Sequence, residues 1–514
     1  MKSLFRLYIL IFACWPVLAL PQNKDLMRIE INASLENEAF YLTPCNETGF
    51  LVYYESVESF DENHTSWIFS LFGINMEQQW TRNIPVLRNA RLQKKLNTEN
   101  SSYLFFYYDG KIREGEFNLQ VLKFDHSSKE FISVYGSIAE KGGIIDAEAY
   151  ADQVFIALAL KKYETAVYKA SFKTSVVERI STSSEDRNLV EDIYFDKQAK
   201  KLNVIINHFV SRKENYLLIK EIDLNGNTLD TTLLRPGMPD IELNAARIRS
   251  LGKDRKIVLG TYNTGGSAST DLKNEEETIS AGFFSAMIQQ GVASRLKFYN
   301  FLDFENFTAN IQSPGILRMK KKSEKGDEKE YSLNYHLLLH DIIREDSQLV
   351  FFAEVYYPEY RTVSYITYDY YGRPYPQSYT VFDGYKYLGG VAAGFNRQAI
   401  KIWDNGIKIW NIQTFNLSKK IIAFADQDEL VLAYNSQGKI ASEIYRAGRV
   451  VGDFEYVDLQ TKYSKDRITQ DVNSNMIHWY DNYFLCYGYQ EIKNNALRDS
   501  DKRSVFYINK IAFD

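Results

Sequence analysis

The chain has 514 residues, of which 45% are hydrophobic and 25% charged, with a net charge of −5. That balance excludes a disordered chain. So small a charge offers neither a basic surface for nucleic acid nor a polybasic patch for membranes.

The first 19 residues read as an export signal. Lys2 and Arg6 precede the apolar run LYILIFACWPVLA, and the small residues Val17 and Ala19 suit cleavage before Leu20. Cys14, in IFAC, offers a competing reading as a lipid-attachment site. The bulky Phe12 and the apolar continuation WPVLAL argue against it. No later stretch is long and apolar enough to span a bilayer. The expectation is an exported protein of the periplasm or cell surface, with one domain over residues 20–514.

Beyond the leader, a unit of four short strands recurs about every 50 residues. Composition supports an all-β fold, because 37 Tyr and 32 Phe against 10 Pro favour pleated, half-buried surfaces. MRIEIN reads as an isolated first strand. A first unit follows with GFLVYYESV, SWIFSLFG and MEQQWTRNI, and a second with SYLFFYYD, FNLQVLKFD and FISVYGSIA. The third and fourth are the clearest. One reads GGIIDAEAY, DQVFIALAL, TAVYKASF and SVVERI, and the other LVEDIYF, KKLNVIINHF, NYLLIKEID and NTLDTTLL. A fifth spans IELNAARIRSL to SRLKFYNFL. A sixth reads YSLNYHLLLHDII, SQLVFFAEVYY, VSYITYDYY and QSYTVFD, and a seventh GGVAAGFN, IKIWNIQTF, DELVLAYN and GKIASEIYR. NMIHWYD, NYFLCYGYQEI and SVFYINKIAFD lack a full set of strands, so they would pair with the N-terminal strand. The pattern predicts a single β-propeller of roughly seven or eight four-stranded antiparallel blades, its ring closed by the two chain ends.

Turns of one chemistry punctuate the units: Asp223 to Gly226, Asp369 to Gly372 and Asn435 to Gly438 each place Asp or Asn three residues before Gly. All three are expected between third and fourth strands, although the last spacing does not fit a whole number of repeats. Two polar stretches, 262–280 and 305–330, read as insertions in or between blades five and six.

Two cysteines follow the leader, Cys45 and Cys486, one near each end of the domain. A bridge between them would lock the ring. The alternative is two free thiols, with Cys486 buried as a small hydrophobe.

Ligands of propellers gather at the central channel, lined by the first strand of each blade. There the third, fourth and fifth units carry paired acids: Asp146 and Glu148, Glu191 and Asp192, Asp240 and Glu242. Such an acidic mouth would suit a hard cation or a basic group. No cofactor is predicted, and a structural cation such as calcium stays open. Eleven tyrosines crowd residues 356–387, among them Tyr356, Tyr357, Tyr360, Tyr370 and Tyr371. Their rings suit a sugar or a peptide, but strand alternation sends them to both faces. His336 and His340, four apart in a strand, stand about 13 Å from each other, too far for one metal ion. GxSxG, GxxxxGK[ST], HExxH, CxxC and GxGxxG are all absent.

The leader, the Tyr/Phe-rich blades and the segments YNFLDFENF, NYHLLLHDII and AEVYYPEYRTVSY together resemble uncharacterised exported propeller-type proteins common in Bacteroidetes. The resemblance implies a Gram-negative envelope location and supplies no activity. The expected role is a binding or scaffolding module for a protein or glycan partner. The alternative is a polysaccharide-acting hydrolase or lyase using Asp146, Glu191 and Asp240 as acid and base.

Overall fold

The computed structural model describes residues 28–513 apart from 38, 140, 161–163, 183–186, 212–213, 239, 253, 265–278, 312–332, 345–347, 427–428, 453 and 497–501. The leader, Cys14 and most of both polar insertions therefore lie outside the described residues.

The strands form eight antiparallel sheets. Seven begin with Tyr41–Pro44, Arg91–Asn97, Gly142–Tyr150, Asn188–Asp196, Ile241–Ser250, Tyr335–Leu339 and Ile421–Asp426, the sixth also taking in Ile279–Ser280 from the fifth blade's stretch of chain. The eighth combines Arg467–Tyr480, Tyr483–Lys493 and Lys502–Ala512 with the N-terminal strand Arg28–Asn32 at its outer edge. First strands of neighbouring blades touch one another around the ring. Between the fifth and sixth blades the link is Arg249, whose Nε and Nη2 donate to the Ile342 carbonyl at 3.2 and 3.0 Å. This is a β-propeller.

The core explains the composition. Apolar side chains gather in eight clusters, one at each junction between adjacent blades. A middle strand is buried on both faces, so its period-two alternation is hidden in an unbroken apolar run. In Ser101–Tyr107, Leu104 and Phe106 pack toward the first blade while Tyr103, Phe105 and Tyr107 pack toward the third.

Packing at the junctions decides the cysteines. Both thiols are free. Cys45 faces the junction of the first and second blades, and Cys486 that of the seventh and eighth. They point to opposite sides, so no bridge forms between them. Burial pushes the Cys45 thiol up to about 12, and it stays a thiol beside the Ser102 hydroxyl.

Backbone pairing and charge close the ring instead. Arg28–Asn32 pairs in register with Val505 to Asn509 of the last strand. Glu30 receives Arg28 at 2.8 Å and Arg503 at 3.0 Å, and Arg503 also reaches Asp466. Burial opposes ionisation of Glu30, but the two guanidinium groups outweigh it and hold its pKa below the usual 4.5. A depressed carboxylate lends stability that is present above its unfolded value and lost as pH falls through its folded value. The melting temperature is therefore expected to drop on acidification below about pH 4.5. In Arg503→Gln that drop is expected to be several degrees smaller, as calorimetry across pH would record.

The sixth blade departs from the expected pattern. VSYITYDYY is no separate strand but the far end of a 20-residue strand, Leu349–Tyr368. QSYTVFD and GGVAAGFN likewise belong to one 22-residue strand, Pro374–Phe395. The turns at Asp369 and Asn435 thus join second to third strands rather than third to fourth, which accounts for the irregular spacing. Only the Asp223 turn sits where the repeat placed it.

Candidate functional site

Four consecutive first strands carry a β-bulge at a corresponding place, between Leu92 and Lys94, Ile144 and Asp146, Val190 and Asp192, and Leu243 and Ala246. A bulge adds backbone on one strand and re-aims the side chains that follow it. Here it brings Lys94, Asp146, Asp192 and Arg247 together at the mouth of the central channel, where all four line one cavity of about 270 Å³. Its wall includes Glu148, Tyr194, Arg249, Asp341, Ile342 and Lys419, which also line a larger chamber of about 770 Å³.

Three of the sequence-predicted acids meet here. Asp146 pairs with Lys94 at 2.7 Å. Burial, reinforced by the Asp146 and Asp341 carboxylates, drives the Asp192 carboxyl far above the ordinary range despite Arg247 at 3.6 Å. A hydrogen bond with Asp146 adds to this upward push on Asp192. Glu148 faces the chamber, and burial, then Asp146 and Asp341, push its pKa up to about 7.

The other acids stand apart. Glu191 is a bulge residue whose carboxylate accepts from Asn207 Nδ2 at 3.1 Å. Asp240 occupies a left-handed turn position, φ 65°, ahead of its strand. Glu242 pairs opposite Asn263. Neither Asp240 nor Glu242 lines the channel cavities. No group of three or more His, Cys, Asp or Glu among the described residues could hold a metal ion. His340 instead meets the Glu354 carboxylate at 2.8 Å.

Attention to acids alone missed the cations. Lys94 and Lys95 lie on the first strand of the second blade, Arg247 and Arg249 on that of the fifth, and Lys419 just before that of the seventh. Arg247 Nε stands 3.7 Å from Asp341, whose side chain is 77% exposed to channel water. The mouth is thus a lattice of both signs rather than an acidic funnel.

A second feature is the overlong hairpin of the sixth blade. Beyond Tyr356 and Tyr385 its strands leave the blade and continue as a two-stranded ribbon. Tyr356 is a core residue, 3% exposed, packed at the junction with the seventh blade. Tyr357 is half-buried at the root. Tyr360 is exposed along the ribbon, and Tyr370 and Tyr371 form its tip, 97% and 80% exposed. Tyr365 and Tyr379 meet edge to face across one side.

The two edges of the ribbon differ. At the tip Asp369 N–H donates to the Arg373 carbonyl, so odd-numbered residues of both strands bond inward and even-numbered ones point outward. Pro374 and Pro376 therefore face the outer edge of the second strand and remove the two donors nearest the tip. The opposite edge carries Thr362, Ser364, Ile366 and Tyr368, each with a backbone donor and acceptor. Among the described residues no strand pairs with it.

No family model and no curated protein matches the chain. Solved structures similar to it include the polysaccharide lyase Uly1, at 10% identity and TM-score 0.37, with 82% of this chain and 90% of that one covered. A prolyl endopeptidase is similar at 10% identity and TM-score 0.39, covering 90% of this chain and 55% of the other. An apocarotenoid oxygenase from Synechocystis gives 9% identity and TM-score 0.29, covering 51% and 61%. Likenesses this remote carry no argument about activity.

Proposed function

We propose that this protein is an exported binding propeller that docks a protein partner as an added strand on the ribbon. One observation carries the reading: a Tyr-rich ribbon leaves the blade with one edge blunted by Pro374 and Pro376 and the other open from Thr362 to Tyr368. A free edge is a template for pairing, and proteins normally blunt edges they do not use. Strand addition draws affinity from main-chain bonds and specificity from alternate side chains. Ile366 and Tyr368, 61% and 70% exposed, would provide the latter. The leader supports export, and the exposed tyrosines offer the rigid amphipathic contacts that interfaces favour.

The test is a selection of displayed peptides on immobilised protein, repeated on a variant in which residues 358–384 are replaced by a tight turn. Extended peptides retained only by the intact protein are expected. Peptides retained equally by both proteins, or glycans captured in their place on an array, would sink the reading.

A second reading, an enzyme on polysaccharide, has one observation in its favour. Glu148 titrates at about 7 inside a roomy chamber, the range suited to a general acid or base. It requires turnover of a polysaccharide that Glu148→Gln abolishes.

A further inference from the structure

The chamber at the channel mouth is lined by four bases, Lys197, Arg249, Arg344 and Lys419. Among the described residues none of the four has a carboxylate partner in an ion pair. Arg249 gives Nε and Nη2 to the Ile342 carbonyl and stacks over Tyr194 at 5.3 Å. Lys197, Arg344 and Lys419 are exposed to chamber water.

The acids on the same wall do not balance them. Asp196 accepts from the Gln198 and Ala199 amides, both at 3.0 Å, and so caps its own turn. Burial opposes ionisation of Asp341, but Lys419, Arg247 and Arg249 outweigh it, so its carboxylate offsets part of their charge. Glu148 is in good part protonated near neutrality, through burial and the neighbouring Asp146 and Asp341. Burial also drives the deeper Asp192 carboxyl well above the ordinary range. Three acids and four bases line the chamber, and neutral Glu148 tilts its balance toward positive charge even though burial lowers the Lys419 pKa. Cations outside any ion pair, around a concave and partly aromatic pocket, are the usual means of recognising an oxyanion.

We propose that the chamber is a binding site for a small polar organic anion, a carboxylate or phosphate of about one or two sugar rings in size, held by Arg249, Arg344 and Lys419. The cavity of about 770 Å³ falls within the range of small-molecule sites, roughly 300–1,000 Å³. Tyr194 and Phe195 supply apolar wall. Glu148 sets the pH response. It faces Asp146 on its own strand, Asp341 from the sixth blade, Arg249 from the fifth and Lys197 from the fourth. Its proton removes a negative charge from the pocket, so binding tightens as pH falls through the Glu148 value and a proton is taken up with the ligand.

Calorimetric titration with glucuronate, glucose 6-phosphate, citrate and neutral glucose tests this at about pH 6 and about pH 8, either side of that value. Anions are expected to bind and glucose not to, and affinity is expected to be higher at the lower pH. Preference for carboxylate or for phosphate would identify the source of the anion. Lys419→Ala combined with Arg344→Ala, both exposed positions that leave the core intact, should weaken binding about tenfold or more, as loss of two charge-assisted contacts implies. Glu148→Gln should keep binding but flatten its pH dependence. Failure of every anion to bind at millimolar concentration would overturn the proposal. So would equal affinity for glucose, or unchanged affinity in a double variant that melts like the parent.

Discussion

A chain that begins at Ala33 is expected to lose most of its stability, because it lacks the strand that completes the eighth blade. Arg28–Asn32 gives a run of ladder pairs to the last strand. It also gives Ile29 and Ile31 to the cluster between the eighth and first blades. Arg28 bonds Gln490 at 2.8 Å and Asn509 at 2.9 Å, and Glu30 anchors Arg503. Backbone hydrogen bonds contribute about 0.5–1.5 kcal/mol each. Each half-buried isoleucine adds about 1 kcal/mol. The loss is then on the order of 5 kcal/mol, comparable with the whole stability of many domains. It also bares the edge of Lys502–Ala512, which invites association. Urea unfolding should show a lowered midpoint, and size exclusion should show oligomers. An unchanged midpoint in a monomeric protein would mean that the terminal strand is no part of the closure.

Glu354→Ala is expected to cost about 3–5 kcal/mol, the range for removing one partner of a buried charged network. Glu354 is completely buried in the sixth blade. Its carboxylate accepts from the Lys420 and Ile421 amides at 2.9 Å and from His340 Nε2 at 2.8 Å. Burial keeps His340 from taking a second proton, so the ring donates through Nε2. Alanine would leave three buried donors without an acceptor. The effect reaches beyond stability. Glu354 fixes the segment preceding Asp341 and the one following Lys419, two sides of the anion chamber. Folded Glu354→Ala protein should therefore bind anions weakly even at temperatures well below its melting point. Glu354→Gln retains one acceptor oxygen and should fall between. Urea unfolding and anion titration of the two variants separate the structural effect from the positioning effect.

The sequence made the architecture legible because a blade is a local object. Short strands such as Gln153–Leu160 and Asn215–Ile222, punctuated by Asp, Asn and Gly turns, can be read one hairpin at a time. Closure by MRIEIN was legible too, since the last three strands lacked a fourth. The overlong hairpin was misread. Nothing local separates a 20-residue strand that leaves its sheet from two strands in sequence, and Asp369 to Gly372 forms the same turn in either case. Proline parity, which distinguishes the ribbon's edges, has meaning only once the register is known. The channel was half legible. Asp146, Glu148 and Asp192 were picked out by the position of their strands. Asp240 carries the same residue type but lies outside the channel, and the cations that answer the acids come from the second, fifth and seventh blades. The cysteines show the same limit, because each thiol's junction depends on which face of its blade it meets, which no composition reveals.

Amide hydrogen exchange across the ribbon, with and without a peptide selected on the intact protein, tests the central claim most directly. Free protein should exchange quickly at Thr362, Ser364, Ile366 and Tyr368, whose N–H groups face the open edge. Bound peptide should slow Ser364, Ile366 and Tyr368 together while leaving Ser378 and Thr380, on the proline-blunted edge, unchanged. That pattern is the mark of an added strand. A peptide that binds while these amides still exchange freely, or that protects the proline edge instead, would contradict the account.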